Sequence, residues 1–134
     1  MRRSPDPRDQ LPLTPVVLHI LLALADGRRG SDEDVIGRHG YAVAQEVEET
    51  TDGQIRMGPG TLYGSIQRML TSGLIEEVAR AKAPRSQAAG QDDDERRRYY
   101  RSTAFGRRVL ELELSRLARV VVLAKAKHLL PEPA

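Results

Sequence analysis

The chain has 134 residues, 40% of them hydrophobic, no cysteine, and 21 Lys and Arg against 19 Asp and Glu. That suits one small domain with a single core that gains from oligomerisation, and it excludes disulfides, thiolate metal sites and thiol redox chemistry. No apolar run nears the roughly 20 residues of a membrane span and the polar, Pro-rich start does not read as a signal peptide, so a cytoplasmic protein with no membrane partner is expected.

In chain order, residues 1–13 read as a disordered N-terminal arm, with Pro5, Pro7 and Pro12 opposing regular structure. Thr14-Pro15 is an N-cap followed by a proline at the first helical position, opening a helix to about Asp26 that stops at Gly27. Its residues Val16 to Leu24 are apolar nearly all round, which predicts burial on most sides. Arg28 to Arg38 reads as a polar loop. His39-Gly40-Tyr41 leads into a second helix over Ala42 to Thr50, with Tyr41, Ala44 and Val47 inward.

A third helix opens at Gly58-Pro59 and sets Leu62, Ile66, Met69 and Leu70 on one apolar stripe. Its other side carries Gly60, Tyr63, Gly64, Gln67 and Arg68, two residues without bulk and three able to bond to phosphates or base edges. A short helix anchored on one face and lined with small and donor-bearing residues on the other suits a DNA major groove. Gln67 and Arg68 are candidate base readers, since Gln pairs with adenine and Arg with guanine; solvated surface is the alternative for each. Thr61 is a phosphate donor or caps its own helix turn. Tyr63 is a phosphate contact or a half-buried packing residue.

Beyond the stop signal Ser72-Gly73, Leu74 to Ala79 and Arg96 to Arg101 read as the two strands of a hairpin. Residues 80–95, with Pro84, Gly90 and the acidic run Asp92 to Glu95, form its long, flexible tip. Arg96, Arg97 and Arg98 are candidate phosphate contacts, of which alternation lets at most two face a duplex together; Tyr99 and Tyr100 split, one to the core and one out. The charge also divides along the chain. Residues 1–53 hold six Arg against ten acids, a balance of −4, whereas residues 54–134 hold fifteen Lys and Arg against nine acids, +6. A basic half beginning near the groove helix is the footprint of a polyanion-binding face.

Ser102-Thr103 caps a last helix over about Ala104 to Lys127, roughly 35 Å long at 1.5 Å per residue, followed by a tail over residues 129–134. Leu110, Leu114, Leu117, Val121 and Ala124 form one apolar stripe, and Phe105, Val109, Leu112, Val120 and Leu123 a second. A helix laid on one small domain buries one stripe. The second calls for the same helix of another copy in a two-fold dimer. The predicted fold is mainly α with a small β-hairpin: a winged helix-turn-helix over residues 14–102, then a C-terminal dimerisation helix over 103–128.

His39-Gly40-Tyr41, Gly58-Pro59-Gly60-Thr61-Leu62-Tyr63, Gly73-Leu74-Ile75 and Arg98-Tyr99-Tyr100-Arg101-Ser102-Thr103-Ala104-Phe105-Gly106, in this order and spacing, resemble the PadR family of transcriptional regulators over about Leu13 to Lys127. The resemblance implies a dimeric winged-helix repressor of the subfamily with one short C-terminal helix. It places the recognition helix at Pro59 to Thr71, the wing at Leu74 to Arg101, and Tyr63 at the DNA backbone, with Tyr41, the upstream motif tyrosine, as a further DNA-binding candidate. Two features depart from the family: Gly64 stands where Pro follows the motif tyrosine, and the wing tip is longer and more acidic. Double-stranded DNA and a second copy of the chain are the expected partners, and an inverted repeat the expected operator.

No paired carboxylates, activated nucleophile or phosphate loop stands out, so neither an enzyme nor a cofactor is expected. His19, His39 and His128 are too scattered for a metal site. A winged-helix module that binds a protein partner is the alternative function. A sensor released from DNA by a small-molecule inducer between the subunits is a third reading, and with no Trp and one Phe the chain offers few aromatic stacking partners for such a ligand.

Overall fold

The computed structural model describes residues 6–25, 38–78 and 98–131. Among the described residues, four α-helices and a three-stranded antiparallel sheet pack around one core. They are α1 (Pro15–Leu24), β1 (Arg38–His39), α2 (Gly40–Thr50), α3 (Pro59–Thr71), β2 (Ile75–Val78), β3 (Tyr99–Ser102) and α4 (Ala104–Ala126). The winged-helix arrangement followed by a long C-terminal helix is as expected.

Local chemistry explains the boundaries. Thr14 Oγ1 accepts from Val17 N–H at 3.3 Å, and Pro15 occupies the first position of α1. This helix ends at Leu24, two residues before the expected stop. His39 caps α2 through its ring, Nδ1 accepting from Tyr41 N–H at 3.2 Å, so α2 starts at Gly40 rather than Ala42. Gly73 closes α3 at φ 80°, with Gly73 N–H donating to Leu70 C=O at 3.2 Å and Leu74 N–H to Met69 C=O at 2.9 Å. This paired closure buries Leu74 against the last turn of α3 and turns the chain into β2.

The expected hairpin is present with one added strand, and three expectations about particular residues are corrected. The hairpin gains a third strand, because β3 lies between β2 and β1, with Arg38 opposite Tyr100 and His39 opposite Tyr99. Tyr99 and Tyr100 point to opposite faces of β3 and are both buried, each face being covered, instead of dividing between core and solvent. Tyr100 joins the main core, and Tyr99 meets the His39 ring edge-on at 5.6 Å between centroids. Tyr41 faces outward at 62% exposure, because Gly40, Val43 and Val47 define the buried face of α2.

The third correction concerns the N-terminal arm. Pro7–Gln10 form a 3-10 turn capped by Asp6, whose Oδ1 accepts from Arg8 N–H at 2.9 Å, and the turn packs on α4. Leu11 and Leu13 pack against the core. Prolines that oppose an α-helix still suit a tight turn, and two leucines give the segment apolar surface to bury. Residues 1–5 of the expected disordered arm and the wing tip at 80–95 lie outside the described residues.

Helix α4 is docked at its start by Thr103 and Gly106. Thr103 Oγ1 donates to Gly73 C=O at 2.6 Å and accepts from Gly106 N–H at 2.9 Å. A Cβ at Gly106 would collide with the Leu74 carbonyl. Gly106→Ala is therefore expected to destabilise the fold by about 1–3 kcal/mol, read as a lower urea midpoint at unchanged slope.

One buried charge went unrecognised in the sequence. Glu113 is 1% exposed, and its Oε1 and Oε2 accept from Arg116 at 2.7 and 2.9 Å while Oε2 also accepts from Leu13 N–H at 3.1 Å. The Arg116 guanidinium holds the carboxyl below its ordinary value of 4.5, against burial, which pushes it up, and with help from Leu13 N–H. A lowered value in the folded chain means stability that is present above the unfolded-state value and lost as pH falls through the folded one. The stability difference between the wild type and Glu113→Gln should accordingly be full at neutral pH and shrink below pH 4.5, as urea titrations across that range would show.

Candidate nucleic-acid interface

Helix α3 is held from below and open above. Leu62, Ile66, Met69 and also Ser65 are buried. Gly60, Thr61, Gln67 and Arg68 are exposed, and Tyr63 and Gly64 are half-buried. The structure thus brings the expected groove-facing residues onto one surface. The N-cap is Gly58, which makes no side-chain cap bond, so the first backbone N–H groups of α3 lack the usual side-chain partner there.

The two tyrosine motifs meet at this surface. The Tyr63 ring lies over Gly40, where an added Cβ would sit 3.2 Å from Cε1 and 3.3 Å from the hydroxyl. Glycine at 40 is what lets α2 and α3 approach, and it fixes Tyr63 at the rim of a hollow of about 670 Å³ between the two helices. His39, Tyr41, Gln45 and Glu48 line that hollow from the α2 side and Pro59 from the start of α3. Glu48 is tied to Arg56 at 3.3 Å, so the rim is close to charge-neutral.

Arg68 folds back along its own helix. Its guanidinium donates to Ser65 Oγ at 3.3 Å and passes 3.7 Å from where a Cβ on Gly64 would stand. Ser65 was not singled out in the sequence, although its spacing of three residues from Arg68 was the available signal. An added methyl at 64 makes only ordinary contact, and Ala is the better helix former. Gly64→Ala should therefore stabilise the fold by roughly 0.5–1 kcal/mol, seen as a raised melting temperature.

On the wing, Arg98 is exposed and pairs with Glu77 at 3.6 Å, and Arg101 pairs with the cross-strand Glu76 at 2.7 Å. Such solvated pairs contribute little and exchange readily for another anion. Arg96 and Arg97 lie outside the described residues.

The residues expected to mediate dimerisation divide differently from the two expected stripes. Val109 of one stripe and Leu110 of the other both enter the domain's own core. Leu112, Leu117 and Ala124 are half-buried, and Leu114, Val120, Val121 and Leu123 are exposed. The division therefore runs along the helix axis, because only the first half of α4 lies against the domain.

The model of the transcriptional regulator PadR-like family matches residues 34–112, from before β1 through the first turns of α4. The chain belongs to the PadR-like family of transcriptional regulators. No curated protein matches the chain. PadR-like regulators bind DNA and are not enzymes, and the matched span contains α3, its supporting helix α2 and both strands of the wing. Among the described residues no helix is long and apolar enough to cross a membrane.

Proposed function

We propose that this PadR-like chain is a homodimeric, sequence-specific repressor that reads an inverted repeat with two copies of α3. The observation that carries the reading is the second half of α4. Leu114, Leu117, Val120, Val121 and Ala124 share one face of the helix, flanked by Leu123, and Leu114, Val120, Val121 and Leu123 are 39–56% exposed, an apolar strip on a helix that projects past its own domain. A second copy packing its α4 there covers this surface and leaves two α3 helices related by a two-fold axis. Such a pair enters successive major grooves about 34 Å apart.

Phosphate contacts from the wing arginines, Thr61 and Tyr63 supply most of the affinity in this reading, and Gln67 and Arg68 the base preference. Selection of bound duplexes from a random pool tests it. The expected product is a palindromic consensus with one half-site spacing, and a steep loss of binding with added salt. Recovery of unenriched sequences with a monomeric chain in sedimentation would overturn it.

A further inference from the structure

Glu113 is the last buried residue of α4; every residue beyond it is half-buried or exposed. It stands where the helix leaves the domain, and its carboxylate reaches across to the backbone just before α1, accepting from Leu13 N–H at 3.1 Å. Arg116, one turn on, orients the same carboxylate with two bonds of 2.7 and 2.9 Å. The other fixed point of α4 is Gly106, seated against the Leu74 carbonyl. These two points lie seven residues apart, about 10 Å along the axis. Val109 and Leu110 are buried between them, so Glu113 ends the docked stretch of α4; a helix fixed to the end of that stretch has a set direction, and released at its outer end it can tilt.

We propose that Glu113 is a positioning residue: it sets the angle at which α4 departs from the DNA-binding domain, and through that angle the separation of the two recognition helices. The inference rests on the dimeric reading above for its consequence, but its geometry belongs to the single chain. Residues 114–126 extend roughly 20 Å beyond the tie. A tilt of about 10° over that lever displaces the far end by roughly 3.5 Å, close to the rise of one base pair, about 3.4 Å. Half-site spacing is therefore sensitive to this one carboxylate, although it lies on neither the α3 face nor the exposed half of α4.

The chain has no cysteine, so nitroxide labels at the exposed positions Glu49→Cys on α2 and Ala126→Cys at the end of α4 report one intramolecular distance. Doubly labelled chains are diluted into unlabelled protein so that each assembly holds one of them. The wild-type background should show a single narrow distance. Glu113→Ala should shift or broaden it by roughly 3 Å or more, and Glu113→Gln, which keeps an acceptor for Leu13 N–H but loses the ion pair, by less. Val43→Ala, which loosens the core away from the tie, should leave the distance narrow. In duplex pools with variable spacers, the wild type should return one spacing and the Glu113 variants a spread of a base pair or more.

An unchanged distance in whichever Glu113 variant folds overturns the proposal, as does equal broadening in Val43→Ala. A wild-type chain with the narrow distance that the variants lose, yet selecting no duplex, would sink the operator reading and leave the tie standing.

Discussion

The wild type is expected to sediment as a dimer, and chains carrying Val121→Asp together with Leu123→Asp as monomers. They should lose on the order of 10²–10⁴-fold in affinity for a duplex with two half-sites. Both side chains are solvent-exposed, at 42% and 56%, in the single chain, so the substitutions leave the core untouched, and the folded domain should keep its stability to within about 0.5 kcal/mol. In a dimer each would bury a carboxylate against apolar neighbours with no partner. The loss of affinity follows from arithmetic rather than from any broken DNA contact. Once one half-site is bound, the second binds at an effective concentration set by the rigid connection, and a monomer forfeits that advantage. Binding to a duplex with one half-site should hardly change. A double variant that still sediments as a dimer would place the interface elsewhere.

The second large effect is expected from Arg68→Ala. Base preference should relax at one position in each half-site, by about 1–3 kcal/mol per half-site, with affinity for random duplex almost unchanged. Arg68 lies on the exposed face of α3, and its guanidinium is parked on Ser65 Oγ by one bond of 3.3 Å. Leaving that bond for a base edge costs about 1 kcal/mol, less than a bidentate pair with guanine returns. Gly64, one turn back, leaves the path beside the side chain open, since nothing but Arg68 itself approaches its missing Cβ. Selected duplexes from wild type and variant, compared position by position, measure the effect. Uniform weakening across all sequences would make Arg68 a phosphate contact and move the base-reading role to Gln67.

Much of the architecture could be read before any coordinates. Thr14-Pro15, Gly58-Pro59 and Thr103 all start helices where expected, because capping is a property of three or four consecutive residues. The apolar stripe of α3 left its polar face on one surface, where the structure also finds it. What escaped were features in which distant segments meet. Tyr99 and Tyr100 are both buried, Tyr100 in the main core and Tyr99 against the His39 ring, and alternation within one strand says nothing about what covers its second face. Tyr41 turned outward because the register of α2 is set by Gly40 beneath the Tyr63 ring, a contact between residues 23 positions apart in the sequence.

By itself, then, the amino-acid order determined the helix starts, the small-residue outer face of α3, the excess of apolar surface on α4 and membership of a regulator family. All of these are carried by short windows of neighbouring residues. Tertiary packing alone decided where α4 stops belonging to its own domain, and it did so through a carboxylate whose partner lies one hundred residues earlier. A lone glutamate on an amphipathic helix reads as solvated surface; only the arrival of Leu13 and the core beneath it buries that charge, and the Arg116 guanidinium and the Leu13 N–H make the burial tolerable.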